Sequence, residues 1–311
     1  MSQPAPSAPS PGPVRWLNNQ PYILLTLTSL FWAGNIVLAR HVAGHVPPLT
    51  LSCLRWYGTF LILLPFAWPH LKRDWPVLRA HLPLLLLLSV LGFAYNNAVS
   101  FWAMQYTEAL NALLIQSAGP LFVAVWTLAL FGVRLTGAQL AGIAISLVGV
   151  LTIILRGDWS ALAGIRFNRG DLMFGSSLVA FGLYSALMLR RPVTHPLSLI
   201  SFTTCCGATM LVPFSIWEFS TGVTLKLDAI SMATLAYVII FPSTLAYTFF
   251  NRGIALIGPN RAAPFFHLVP MFGSAMAILL LGEQLRLYHL AGYALVLAGV
   301  VIASRRASAK A

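Results

Sequence analysis

Apolar residues run along this chain in ten long blocks, at about 21–40, 47–68, 82–104, 108–130, 137–155, 170–189, 197–217, 229–251, 261–281 and 287–303. The blocks show no polar stripe of helical period, so a helix built from any of them is apolar all round and needs lipid or protein on every side. A membrane-crossing helix takes roughly 20 such residues, and ten of them use about 200 of the 311 residues. What remains is short connections and two tails. The tail at 1–20 opens with the Pro/Ser/Ala-rich stretch MSQPAPSAPSPGP, which cannot bury enough surface to fold and is expected to be disordered. It lacks the apolar core of a cleavable signal peptide, so the first block is expected to serve as an uncleaved insertion signal. The pattern predicts an all-α membrane protein of ten transmembrane helices.

Sliding the sequence by 150 residues superposes 118–152 on 268–302 without a gap. Pro120 then meets Pro270, Phe122 meets Phe272, Gly132 meets Gly282, and Leu140-Ala141-Gly142 meets Leu290-Ala291-Gly292. Gly149 meets Gly299, and near the start of each half Phe31 meets Phe181 and Arg40 meets Arg190. Shared glycines and prolines at one offset are harder to obtain by chance than shared leucines. The chain therefore divides into a disordered tail at 1–20, a five-helix repeat at 21–155, an external loop at 156–169, a second repeat at 170–304 and a tail at 305–311. Five is odd, so the second repeat is expected to cross the membrane in the opposite sense. Inverted repeats of this kind characterise many secondary transporters, whose substrate site lies near mid-membrane between the halves.

Charge refines this picture. Only 8% of residues are charged and 58% are hydrophobic, against about 25% charged in soluble domains. The net charge of +12 comes from cations scattered between apolar blocks, which argues against nucleic acid. Twelve cations fall on the side of the termini and six on the other, so both termini are expected in the cytoplasm. Arg156, Arg166 and Arg169 run against that bias. Cys53, Cys205 and Cys206 have neither disulfide nor metal-ligand spacing, and no cofactor or metal is expected. The histidines lie mostly at block ends without acid partners, so an intramembrane lipid-modifying enzyme is the weak alternative from another class. No carboxylate falls in mid-block; Glu108, Glu218 and Glu283 lie near block ends. The Gly142/Gly149 and Gly292/Gly299 stripes suit close packing within one protomer, so no oligomer is required.

Phe31-Trp32-Ala33-Gly34-Asn35, the proline-bearing fourth and ninth blocks, Leu281-Gly282-Glu283 and the paired glycines resemble the drug/metabolite transporter superfamily, in its ten-span EamA-type branch. The resemblance covers about 20–304. Its texture is most similar to the YddG-type exporters of aromatic and other neutral amino acids, a group that also moves an organic dication. It implies export of amino acids or similar small metabolites from a bacterial inner membrane, with a broad drug or organic-cation exporter as the alternative. Glu283 departs from the repeat, because Val133 stands at its counterpart.

Polar and aromatic residues inside the blocks are the candidate substrate contacts, since lipid exposure is costly to them; the plainer role for each is a helix–helix hydrogen bond. Arg55 lies in the second block, able to meet a carboxylate, to pair with Glu108 or to snorkel. Trp32 and Asn35 share a face at i, i+3. Tyr95, Asn96 and Asn97 make a polar step, with Trp102 seven residues past Tyr95. Tyr184, Tyr247 and Asn251 are comparable in the second half. Gln116 and Ser117 precede Pro120 as Phe266 and His267 precede Pro270, and His267 is able to titrate near neutrality. Aromatic walls with a few amides suit a flat, weakly polar ligand.

Overall fold

The computed structural model describes residues 16–41, 46–107, 112, 115–164, 168–222, 225–226, 228–281 and 286–304. Among these, all regular structure is helical. The rods are α1 (Pro21–His41), α2 (Pro48–Ala80), α3 (Leu82–Ala103), α4 (Gly119–Phe131), α5 (Gly137–Ile154), α6 (Arg169–Arg190), α7 (Pro196–Ser220), α8 (Ala229–Ile257), α9 (259–281) and α10 (Leu287–Ser304). Seven of them (α2, α3, α5, α6, α7, α8 and α10) are long and apolar enough to cross a membrane, and α4 is a shorter apolar helix.

Local chemistry sets the boundaries. Pro48 opens α2 at the position where a missing N–H costs nothing. Thr136 with Gln139, and Asn168 with Asp171, form capping boxes at the starts of α5 and α6. Gly132 ends α4 at φ 66°, a left-handed conformation that a side chain would strain. Two expectations are corrected. The second block predicts a helix to 68, whereas α2 continues through Pro69, Lys72 and Pro76 to Ala80. At 1.5 Å per residue it is about 50 Å long, more than the ~30 Å hydrocarbon layer, so its charged last turns project beyond it. Residues 16–20 of the expected disordered tail form an ordered turn, tied down by the Arg252 guanidinium, which donates to Asn18 O at 2.9 Å and Asn19 Oδ1 at 2.8 Å. The rest of that tail and 305–311 lie outside the described residues, as do Glu108 and Glu283.

Two pairs of helices that correspond under the 150-residue shift, α5 with α10 and α2 with α7, pack on each other antiparallel. In α5–α10, a Cβ on Gly142 would sit 2.5 Å from both Gly299 O and Ala303 N, and one on Gly149 2.8 Å from Gly292 O. Only glycines permit backbones this close. In α2–α7 each helix carries a carboxylate that caps the start of the other. Glu218, near the end of α7, accepts from Leu49 N at 3.1 Å, Thr50 N at 2.7 Å and Thr50 Oγ1 at 2.7 Å. Asp74, near the end of α2, accepts from His195 N at 2.7 Å and Ser198 Oγ at 2.8 Å. The remaining contacts obey the same exchange: α1 packs on α8 and α9 as α6 packs on α3 and α4. Two pairs of residues 150 apart touch, Asn97 with Tyr247 and Ser117 with His267. Touching counterparts mark the axis that relates the halves.

Candidate functional site

Both α3 and α8 contain a π-helical turn, at Val90–Tyr95 and Ile239–Leu245, in matching places of the two repeats. Such a turn loosens the regular ladder and leaves carbonyls open to side chains. In α8 Pro242 lacks the N–H that a regular helix would use. The counterparts Gly92 and Pro242 both accept side-chain donors. Tyr247 Oη donates to Gly92 O at 2.9 Å. Trp32 Nε1 donates to Pro242 O at 3.2 Å, and Arg55 Nη2 reaches it at 3.4 Å.

Beside these turns lies a cleft of about 840 Å³ including its open mouth. Its wall comes from the C-terminal parts of α1 and α3 and the N-terminal parts of α2, α4 and α6. It therefore lies toward the end of the bundle away from the start of α1 and the end of α10, which meet where Tyr22 Oη donates to Ser304 O at 3.2 Å. The two repeats contribute different chemistry. The first supplies the polar Asn35, Arg55, Asn96, Asn97, Ser100 and Gln116 beside the apolar Trp32, Ile36, Phe101, Met104 and Val123; the second supplies Phe174, Leu178, Phe181 and Phe266, with Tyr247 as its polar member.

Toward the terminal end the cleft stops at packed rings. Trp32 stacks on Phe266 at 5.6 Å and meets Phe181, Phe250 and Tyr247 at 5.7, 5.1 and 5.8 Å. Trp56, fully buried, lies 4.8 Å from Phe93 and 4.9 Å from Tyr247. Offset and edge-on ring pairs of this kind each contribute about 0.5–1.5 kcal/mol beyond their buried area.

Of the residues singled out in the sequence, Trp32, Asn35, Arg55, Asn96, Asn97, Gln116 and Tyr247 line this cleft. The other six do not, each for a visible reason. Tyr95 is 40% exposed off the cleft, its hydroxyl 2.9 Å from Ser176 Oγ; the cleft takes the neighbouring face of α3. Trp102 turns to Trp217 of α7 at 6.1 Å. Tyr184 donates to Asn251 Oδ1 at 2.8 Å, and both sit apart from the cleft wall. Ser117 and His267 are buried in the frame. Because a carbonyl only accepts, His267 Nε2 donates to Ser117 O at 2.8 Å, leaving Nδ1 to face the Ser146 hydroxyl at 2.5 Å. The apolar wall escaped the sequence reading, since a phenylalanine in an apolar block carries no signal of the face it takes. The 150-residue pairing of Phe266 with Gln116 was the one available hint.

Arg55 is 1% exposed. Its Nε donates to the Ser243 hydroxyl, and its guanidinium lies 4.7 Å from the Trp56 ring and 5.7 Å from that of Phe101. Among the described residues Nη1 has no hydrogen-bond partner, nor has Asn35 Oδ1, and both atoms are buried.

The sequence profile of the EamA-like transporter family matches residues 20–155 and again 168–305. The chain is 29% identical over 289 residues to the uncharacterized transporter YyaM of Bacillus subtilis (strain 168), covering 91% of this chain and 93% of that one. It is 30% identical over 293 residues to a probable amino-acid metabolite efflux pump of Salmonella typhimurium (strain LT2), covering 90% and 93%. One solved crystal structure superposes with a TM-score of 0.71 at 18% identity, covering 91% of this chain and 96% of that one; at that identity the likeness speaks for the fold alone.

Proposed function

Because this chain belongs to the EamA-like transporter family, we propose that it is a secondary transporter exporting small amphipathic metabolites, aromatic and neutral amino acids first. In this reading its helices form ten membrane spans, arranged as two inverted five-helix repeats at 21–155 and 170–304. Both termini lie in the cytoplasm of a bacterium whose inner membrane the protein crosses. The observation that carries the proposal is a cleft lined by both repeats, lying toward the end of the bundle away from the termini, with packed rings toward the other end. A site reached from one side at a time, between two related halves, is what alternating access requires.

On this reading the cleft opens at the end away from the termini. Export then begins from the converse state, in which the rings around Trp32 part and the mouth closes. Trp32, Asn35, Arg55, Asn96, Gln116 and Tyr247 are the proposed substrate contacts. The name of the Salmonella relative supports amino acids as the first class to try.

The test is counterflow in proteoliposomes. Vesicles loaded with unlabelled phenylalanine are expected to accumulate labelled phenylalanine transiently, without nucleotide. Strict dependence on ATP would overturn secondary transport.

A further inference from the structure

We infer that the cleft recognises α-amino acids as zwitterions: Arg55 takes the carboxylate, Asn35 the ammonium, and the second repeat's apolar wall the side chain. The inference rests on the transporter reading above and names the substrate chemistry of that same cleft.

Charge accounting leads to it. A guanidinium stays protonated in proteins, and burying a cation is costly unless an anion accompanies it. Arg55 is buried, and what surrounds it is neutral: a hydroxyl, a carbonyl and two rings. The carboxylates among the described residues are all engaged elsewhere. Asp74 and Glu218 cap helix starts. Asp158 accepts from Ser160, Asp171 from Thr107 and Asn168, and Asp228 from the Ser231 N–H. Among the described residues Arg55 Nη1 thus remains a charged donor without an acceptor, on a residue that lines the cleft. A ligand carboxylate supplies the missing charge.

Asn35 Oδ1 is the complementary feature, a buried acceptor lacking a donor on the same wall. Both atoms are kept from bulk solvent, where such pairings strengthen. Phe174, Leu178, Phe181 and Phe266, which the second repeat adds to the lining, carry no hydrogen-bonding group, and the Tyr247 hydroxyl is occupied by Gly92 O and Asn97. A molecule with one charged end and one large apolar end matches this lining. An organic cation without a carboxylate meets Arg55 as a like charge, which disfavours it.

Three probes separate the groups: L-phenylalanine, 3-phenylpropanoate, which lacks the ammonium, and phenethylamine, which lacks the carboxylate. Each is used to compete with labelled phenylalanine, and each is measured for its own exchange in proteoliposomes. Phenylalanine is expected to compete best and phenethylamine worst, by about 10- to 100-fold, the range of hydrogen bonds to charged groups. Arg55→Gln is expected to abolish the advantage of phenylalanine over phenethylamine. Asn35→Leu is expected to abolish its advantage over 3-phenylpropanoate while keeping the preference for a carboxylate. If Arg55→Gln fails to fold, the ranking on the unaltered protein decides. Phenethylamine exchanging as well as or better than phenylalanine overturns the inference and leaves secondary transport standing. Exchange of none of the three probes takes down both.

Discussion

The two repeats share a backbone plan and differ where the cleft touches them. Both place a π-turn in their third helix, and both donate glycines to the same close crossing. Yet at equal positions Arg55 faces Cys205, Gln116 faces Phe266 and Asn96 faces Ala246 across the 150-residue shift. The first repeat's lining mixes six polar side chains with apolar ones, and the second's is apolar but for Tyr247. What the halves hold in common builds the frame; what they do not share lines the cleft and, in the function proposed above, reads the ligand. Symmetry in such a fold therefore points to motion, and its breaking points to specificity.

Each level of this contrast has its own experimental handle. The largest effect is expected in the shared frame: Gly142→Leu forces a side chain onto the α10 backbone, where nothing flexible can give way. Size-exclusion profiles in detergent should show no monodisperse protein, whereas overpacking elsewhere costs about 1–3 kcal/mol. Glu218→Gln weakens three hydrogen bonds at the start of α2 and is expected to cost about 1–3 kcal/mol in unfolding measurements, with substrate ranking unchanged. Tyr247→Phe removes the axial hydroxyl from Gly92 and Asn97 for about 1 kcal/mol of stability, and should alter exchange rates more than affinity. On the polar wall alone, Gln116→Leu is expected to raise the KM for amino acids by about 3- to 10-fold without a stability loss, read from initial rates. A frame mutant that changed substrate ranking, or a wall mutant that unfolded the protein, would blur the division drawn here.

The smallest effect concerns pH. His195, before α7, is held below the usual histidine value by burial, then by the stacked His70 ring 3.5 Å away and by Arg73, with Asp74 opposing. Unfolded, it binds a proton more readily than folded, so stability falls as pH drops below about 6.5 and levels off beneath the folded value. His195→Gln should flatten that part of the stability profile in thermal unfolding at a series of pH values.

Much of this was legible before the coordinates. The offset that aligns Pro120 with Pro270 marked the two related halves, because a proline or glycine is fixed by backbone geometry rather than by apolar composition. Arg55, Asn35 and Gln116 stood out because a polar group in an apolar block has few places to go. Tyr95 and His267 stood out equally and went elsewhere, one to a face outside the cleft and one into a hydrogen-bonded frame. Deciding among these faces requires the helix rotation, which a block apolar on every side does not encode. The π-turns were likewise silent: Gly92 and Pro242 permit them, but only the packing of Trp32 and Tyr247 on their carbonyls gives them a use.

The central claim is that one end of the cleft closes as the other opens. Distances between paired spin labels measure this directly, with one pair at Tyr106 and Ile230 beside the open end and another at Leu82 and Leu256 at the opposite end. All four positions are exposed. Conditions that shift the population to the converse state, scanned by adding phenylalanine on either side of the membrane, should shorten the first distance and lengthen the second together. Two distances that move in the same sense, or that stay fixed while phenylalanine is transported, would contradict the account.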